Sequence, residues 1–168
     1  VKIAEDDEIL VKGDNVMAGY WKNSKLTQET LRDGWLHTGD LGYFDKIGRL
    51  FINGRKKDLL VTSGGDNISV QRIETKLTEN IEINQAVIFG DNKPYLVALV
   101  VVKEDISYQQ VKEIINNLNK SLNSIEKIRK FLIIDEPLTY EDGYLTQTQK
   151  IKRRQVFKGF SNKINKLY

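Results

Sequence analysis

The stretch from Gly34 to Glu74, GWLHTGDLGYFDKIGRLFINGRKKDLLVTSGGDNISVQRIE, decides how the rest of this chain reads, because it holds seven of the chain's twelve glycines. Glycine set among Asp, Arg and Lys is what a backbone needs to turn tightly and bring charged groups to one small polyanionic ligand. Within the stretch, Leu41 to Asp45 and Arg49 to Asn53 predict two short strands joined around Lys46-Ile47-Gly48. Asp40 and Arg55 then flank one hairpin and can face the same ligand.

Upstream, residues 8 to 12 predict a strand that Gly13-Asp14-Asn15 breaks, and Asn23 to Leu31 predicts a short helix that stops at Asp33-Gly34 with the glycine left-handed. Downstream, Gly64-Gly65 opens a flexible loop, and Ser69 caps a helix running to about Asn80. Val70, Ile73, Glu74 and Leu77 share its inner face, where an unpaired charge is costly, so Glu74 is expected to meet backbone donors. Asn84 to Gly90 and Tyr95 to Val102 predict an antiparallel pair about a polar turn, the second strand being apolar enough for burial on both faces. Ser107 with Gln110 forms a capping box ahead of a stripe at Tyr108, Val111, Ile114, Ile115, Leu118 and Leu122. A strand at Phe131 to Ile134, a turn at Glu141 to Gly143 and a last helix with Val156, Phe157, Phe160, Ile164 and Leu167 on one side complete the order. The fold class is α+β: a β-rich N-terminal piece, residues 1–54, then a compact domain, residues 55–168, with a small, largely antiparallel sheet flanked by helices. The boundary is expected at Arg55 to Asp58.

Composition narrows the function classes. Twenty-six basic against 23 acidic residues leave a net charge of +3, too mild to argue for nucleic acid by itself, and 40% hydrophobic content suits an ordinary core. Without cysteine there is no disulfide, thiolate chemistry or Cys-based zinc site, and the single histidine, His37, cannot build a His-rich metal site. His37 lacks a visible nucleophile to serve, so it is read as a polar neighbour of Trp35 or of a nucleotide site. No apolar run reaches the ~18 residues that span a bilayer. A cytoplasmic location is the expectation, with peripheral membrane contact left open.

Four motifs in order carry a resemblance: Glu8 to Trp21 (EILVKGDNVMAGYW), Gly34 to Asp40 (GWLHTGD), Gly54 to Asp58 (GRKKD) with Ser63 to Ile68 (SGGDNI), and Leu145 to Arg153 (LTQTQKIKR). Together they resemble the adenylate-forming acyl-CoA synthetases, long-chain fatty acid CoA ligases best. One departure is Gln147, where the long-chain group has proline, which frees a backbone angle and leaves Lys150 in place. The resemblance implies an acid–thiol ligase that joins a fatty acid to CoA through an acyl-adenylate, with ATP, Mg2+ and CoA. It also implies that this is a C-terminal fragment. The larger N-terminal domain with the phosphate loop and acyl pocket is then a missing partner in the same chain, and the fragment alone is expected to be inactive.

Residue by residue, the resemblance gives Asp40 the ribose hydroxyls, Arg55 the ribose or phosphate, Lys57 the hinge between two poses, Gly64 and Gly65 the path of the CoA thiol, and Lys150 the adenylation step. Plainer readings stand beside these. An Asp after Gly is usually a turn former, Arg55 and Lys57 alone read as surface charges, and the two glycines lack the Lys-Ser or Lys-Thr of a phosphate loop. Lys150 to Arg154 is a basic cluster that suits a triphosphate, with Lys150 in a mobile loop before the helix. Its aromatics fall on the buried face rather than among the charges, which argues against nucleic acid. Alternatives are a ligase for another acid or acceptor, or a non-catalytic interaction module of the same fold. Acyl chain length and oligomeric state are not encoded here.

Overall fold

A computed structural model describes residues 1–168. The chain divides into two units, Val1–Leu59 and Leu60–Tyr168. The first holds strands β1 (Lys2–Ile3) and β2 (Glu8–Val11), helix α1 (Ser24–Thr30), and strands β3 (Leu31–Arg32), β4 (Trp35–Phe44) and β5 (Leu50–Arg55). The long β4 is its axis: β2 runs antiparallel along one side, with β1 outside it, and β3 and β5 follow one another along the other side. Ile9, Leu10 and Leu41 are the buried apolar side chains of this unit, while Ile52 is 66% and Trp21 88% exposed. So small a set of buried groups stabilises a sheet only weakly.

One expectation is overturned here. Helix α1, with Asn23 accepting the Leu26 N–H at 3.0 Å, ends at Thr30, and Asp33-Gly34 is not its stop. Asp33 (φ 52°) and Gly34 (φ 75°) are both left-handed and form the two-residue turn of the β3–β4 hairpin, with Arg32 opposite Trp35. Asp-Gly with two positive φ angles matches the twist of flanking strands, so the pair closes a hairpin as readily as it ends a helix. A second glycine, Gly42, is required by space: a Cβ there would lie 2.3 Å from the Phe51 carbonyl oxygen.

Lys56–Asp58 form a 3-10 turn before strand β6 (Leu59–Val61), which pairs with β7 (Asn67–Ser69). Then come helix α2 (Val70–Thr78), strands β8 (Ile83–Phe89) and β9 (Leu96–Val102), helix α3 (Tyr108–Lys120), strand β10 (Ile128–Ile134) and helix α4 (Arg153–Asn165). Strands β8 and β9 pair antiparallel, as predicted. Strand β10 lies beside β9 in parallel, because the chain returns through α3, the crossover a parallel pair needs.

The run Leu96-Val97-Ala98-Leu99-Val100-Val101 is buried on both faces. Its even-numbered residues pack with Ile73, Leu77, Val111 and Ile115 of α2 and α3, and its odd-numbered residues with Val156 and Ile164 of α4. A strand apolar on both sides needs cover on both sides, hence three layers. The capping box at Ser107 and Gln110 forms as read.

The exposed edge of β8 is closed by side chains. Glu74 Oε1 accepts the Ile88 N–H at 2.7 Å, as the sequence suggests, and the Arg153 guanidinium donates to Ile88 O at 2.8 Å while pairing with the Glu74 carboxylate. Removing one partner leaves a donor and a charge unpaired, at about 1.5–3 kcal/mol for a hydrogen bond to a charged group. Glu74→Ala should lower the unfolding free energy by about that amount in urea titration, and Glu74→Gln, which keeps an acceptor for Ile88, by less. An unchanged midpoint for both would contradict this role.

Candidate functional site

In the first unit the site is made by an irregularity in β4. Leu10 pairs with His37 and Glu8 with Leu41, so Thr38, Gly39 and Asp40 together stand opposite Ile9 alone. The excess residues bulge and re-aim their side chains. Gly39 takes φ 71°, the left-handed region that favours glycine. Thr38 Oγ1 donates to the Ile9 carbonyl at 2.7 Å and accepts the Asp40 N–H at 3.0 Å. Glu8 Oε1 accepts the Gly39 N–H at 2.9 Å. The bulge is thus held at each of its three residues.

Asp40 lies directly across the ladder from Arg55, whose Nε donates to Asp40 Oδ1 at 2.9 Å. The Arg55 side chain is 60% exposed and that of Asp40 26%. A carboxylate that accepts from hydroxyls and a planar donor fork that fits phosphate oxygens therefore sit side by side, as the hairpin reading requires. Lys57 is exposed in the 3-10 turn immediately after β5.

Behind the bulge lies a buried charge that the sequence reading did not single out. Glu8 is 6% exposed, with His37 Nδ1 3.1 Å and Lys56 Nζ 3.4 Å from its Oε2. Lys56 also pairs with Asp6. His37 accordingly has Glu8 as its partner, where Trp35 or a nucleotide site was expected. Burial raises the Glu8 pKa, but the bonds from His37 and Gly39 and the Lys56 charge outweigh it, and the carboxyl lies below its ordinary value. The Lys56 ammonium holds Asp6 low, and Asp6 in turn raises Lys56.

In the second unit, Gly64 and Gly65 are exposed in a turn closed by Thr62 N–H to Asp66 O and Gly65 N–H to Thr62 O, both 3.0 Å. Gly65 has φ 84°, and a Cβ added to it would meet nothing within 4 Å. Its need for glycine is conformational. Lys150 is exposed in a hairpin that Leu145 and Ile151 close as a bridge, with Thr146 N–H to Lys150 O at 2.8 Å and Lys150 N–H to Thr146 Oγ1 at 3.0 Å. The loop before the last helix thus takes the form of a hydrogen-bonded turn. Arg153, counted with the cluster suited to a triphosphate, is committed to Glu74 and Ile88 instead. No group of three or more His, Cys, Asp or Glu side chains gathers to hold a metal ion.

Comparison with known proteins follows the same division. Residues 57–168 match the AMP-binding enzyme C-terminal domain. The whole chain is 34% identical to the long-chain-fatty-acid–CoA ligase FadD15 of Mycobacterium tuberculosis and covers 32% of it. Over 99% of its length it is 33% identical to the mouse long-chain-fatty-acid–CoA ligase 5, covering 28% of that protein. The chain spans about a third of the length of the curated relatives it matches. Among solved structures, the adenylation domain of a Mycobacterium chelonae carboxylate reductase superposes with a TM-score of 0.81 at 23% identity, over 96% of this chain and 27% of that one. The Bacillus subtilis O-succinylbenzoate coenzyme A synthetase, solved with AMP, gives 0.70 at 30% identity, over 88% and 29%.

The charge cluster around Glu8 makes stability depend on pH with a definite sign. Asp6 and Glu8 have lowered pKa values in the folded state, so their contribution is in place above the unfolded carboxyl values of about 4 and is lost as pH falls through the folded ones. Lys56, raised, contributes below its unfolded value and loses this as pH rises through the folded one. Unfolding of the first unit, followed by Trp21 and Trp35 fluorescence, should show a plateau near neutrality and a fall below about pH 4. Glu8→Gln should flatten that acid limb. A limb equally steep in the variant would contradict the assignment.

Proposed function

The chain belongs to the AMP-binding enzyme family, whose C-terminal domain it carries at residues 57–168, and from that premise we propose that it is the C-terminal part of an ATP-dependent long-chain fatty acyl-CoA synthetase. The observation that carries this reading is the Asp40–Arg55 pair at the hairpin end. It stands in a chain similar along its whole length to long-chain-fatty-acid–CoA ligases.

In the first half-reaction a carboxylate oxygen of the fatty acid bonds to the α-phosphorus of ATP, the bond to the β-phosphate oxygen breaks, and pyrophosphate leaves. In the second, the CoA sulfur bonds to the acyl carbon, AMP departs, and the thiol proton is released. Asp40 accepts the ribose hydroxyls, a charge-assisted contact of about 1.5–3 kcal/mol. Arg55 moves from Asp40 toward ribose or phosphate oxygens. Lys150 neutralises the charge that develops between the attacking oxygen and the leaving pyrophosphate, an interaction stronger in the transition state than before it. Lys57 is the pivot between the two poses, where a few backbone angles absorb the change. Gly64 and Gly65 keep side chains out of the pantetheine path.

A second reading, a different acid or acceptor on the same scaffold, is favoured by the fold shared with a carboxylate reductase adenylation domain. Both readings keep the adenylation step, so that step is tested first. In the full-length protein, Lys150→Ala should lower adenylate formation by ~10²–10³, the usual loss for one such donor. It should still convert supplied acyl-adenylate and CoA to thioester. Normal adenylation by this variant, with Lys152 essential in its place, would overturn the assignment of the terminal motif.

A further inference from the structure

We propose that Glu8 is a positioning residue that links the nucleotide turn to the hinge. The inference rests on the reading of Asp40 and Lys57 given above and goes beyond it, since neither the motifs nor that reading assign Glu8 or Lys56 a task. The carboxylate of Glu8 is buried, and its two oxygens serve different segments. Oε1 accepts the N–H of Gly39, the residue before Asp40, at 2.9 Å. Oε2 faces His37 Nδ1 at 3.1 Å and Lys56 Nζ at 3.4 Å, and Lys56 is the residue before Lys57. Asp6 supplies Lys56 with a second anionic partner from the β1–β2 turn.

Each contact constrains something useful. Gly39 is left-handed at the centre of a bulge with residues in excess, and a bulge without fixed hydrogen bonds has several ways to place its side chains. The bond to Glu8 selects one of them, with Asp40 opposite Arg55. On the other side, a pivot works only if the chain before it stays still. Lys56 is tied by its side chain to β2 and to the β1–β2 turn, whereas Lys57 is exposed and makes no such tie. Rotation is thereby confined to the residues after Lys56. A carboxylate taken from water is held at a cost that only satisfied partners offset, and here three partners come from the two segments that the chemistry needs fixed.

The test separates the two oxygens in the full-length protein. Glu8→Gln keeps an amide oxygen for Gly39 but removes the charge that holds Lys56, so the KM for ATP in pyrophosphate exchange should change by less than about twofold. Thioester formation from supplied acyl-adenylate and CoA should fall about tenfold, the scale of coupling through a positioning contact. Lys56→Met, at a half-exposed position, should reproduce that fall, and the double variant should be no slower than either single one. Equal losses in both half-reactions, or fully additive effects of the two substitutions, would overturn the link and leave Glu8 a stability residue only. Asp40→Ala and Lys57→Pro run alongside: if neither the ATP dependence of the first nor the thioester step of the second changes, the reading of the site fails and the link fails with it.

Discussion

The constraint on which the second unit depends is the burial of β9 on both faces. Its residues are apolar whichever way they point, so neither face can be left to water, and helices must cover both. Helices α2 and α3 take one face, α4 the other. That placement leaves the β8 edge to be completed by side chains. Glu74 from α2 and Arg153 from the first turn of α4 meet at Ile88 and satisfy its N–H and C=O, as a neighbouring strand would. The Lys150 turn is joined directly to the helix end that this pair anchors. The Lys150 ammonium, on an exposed turn, is therefore tied through Arg153 to the edge of this sheet, which limits where it can go.

The first unit solves a different problem with little core. Its buried apolar set is small, and the precision of the Asp40–Arg55 pair comes from hydrogen bonds: a β-bulge fixed by Thr38, by Glu8 and by ladder register. Backbone register sets which residue stands opposite which, and a slip of one position would turn Asp40 to the other face. Gly42 enforces that register by allowing the Phe51 carbonyl to approach more closely than any Cβ permits.

Features set by neighbouring residues were legible in the sequence. The capping box at Ser107, the apolar runs of β8 and β9 and the hairpin bearing Asp40 and Arg55 each follow from short-range sequence pattern or turn chemistry. Asp33-Gly34 was misread because two positive φ angles serve a helix stop and a hairpin equally, and only the pairing of Arg32 with Trp35 decides. Long-range pairings left less trace. Glu74 looked like a charge on an apolar face, a sign of a buried partner, but nothing local points to Arg153, 79 residues away. Glu8 gave a comparable sign, an acid beside Ile9, Leu10 and Val11, yet its partners lie 29 to 48 residues further on. The resemblance assigns roles toward substrate to Asp40, Arg55 and Lys150 and is silent on the residues that hold them in place.

The central claim is that this chain completes an enzyme that activates a fatty acid as its adenylate before any thiol takes part. Exchange of labelled pyrophosphate into ATP by the full-length protein, with a long-chain fatty acid and without CoA, reports that step alone. The account predicts exchange that requires the acid and proceeds in the absence of CoA. A folded, ATP-binding protein that shows no acid-dependent exchange would contradict it.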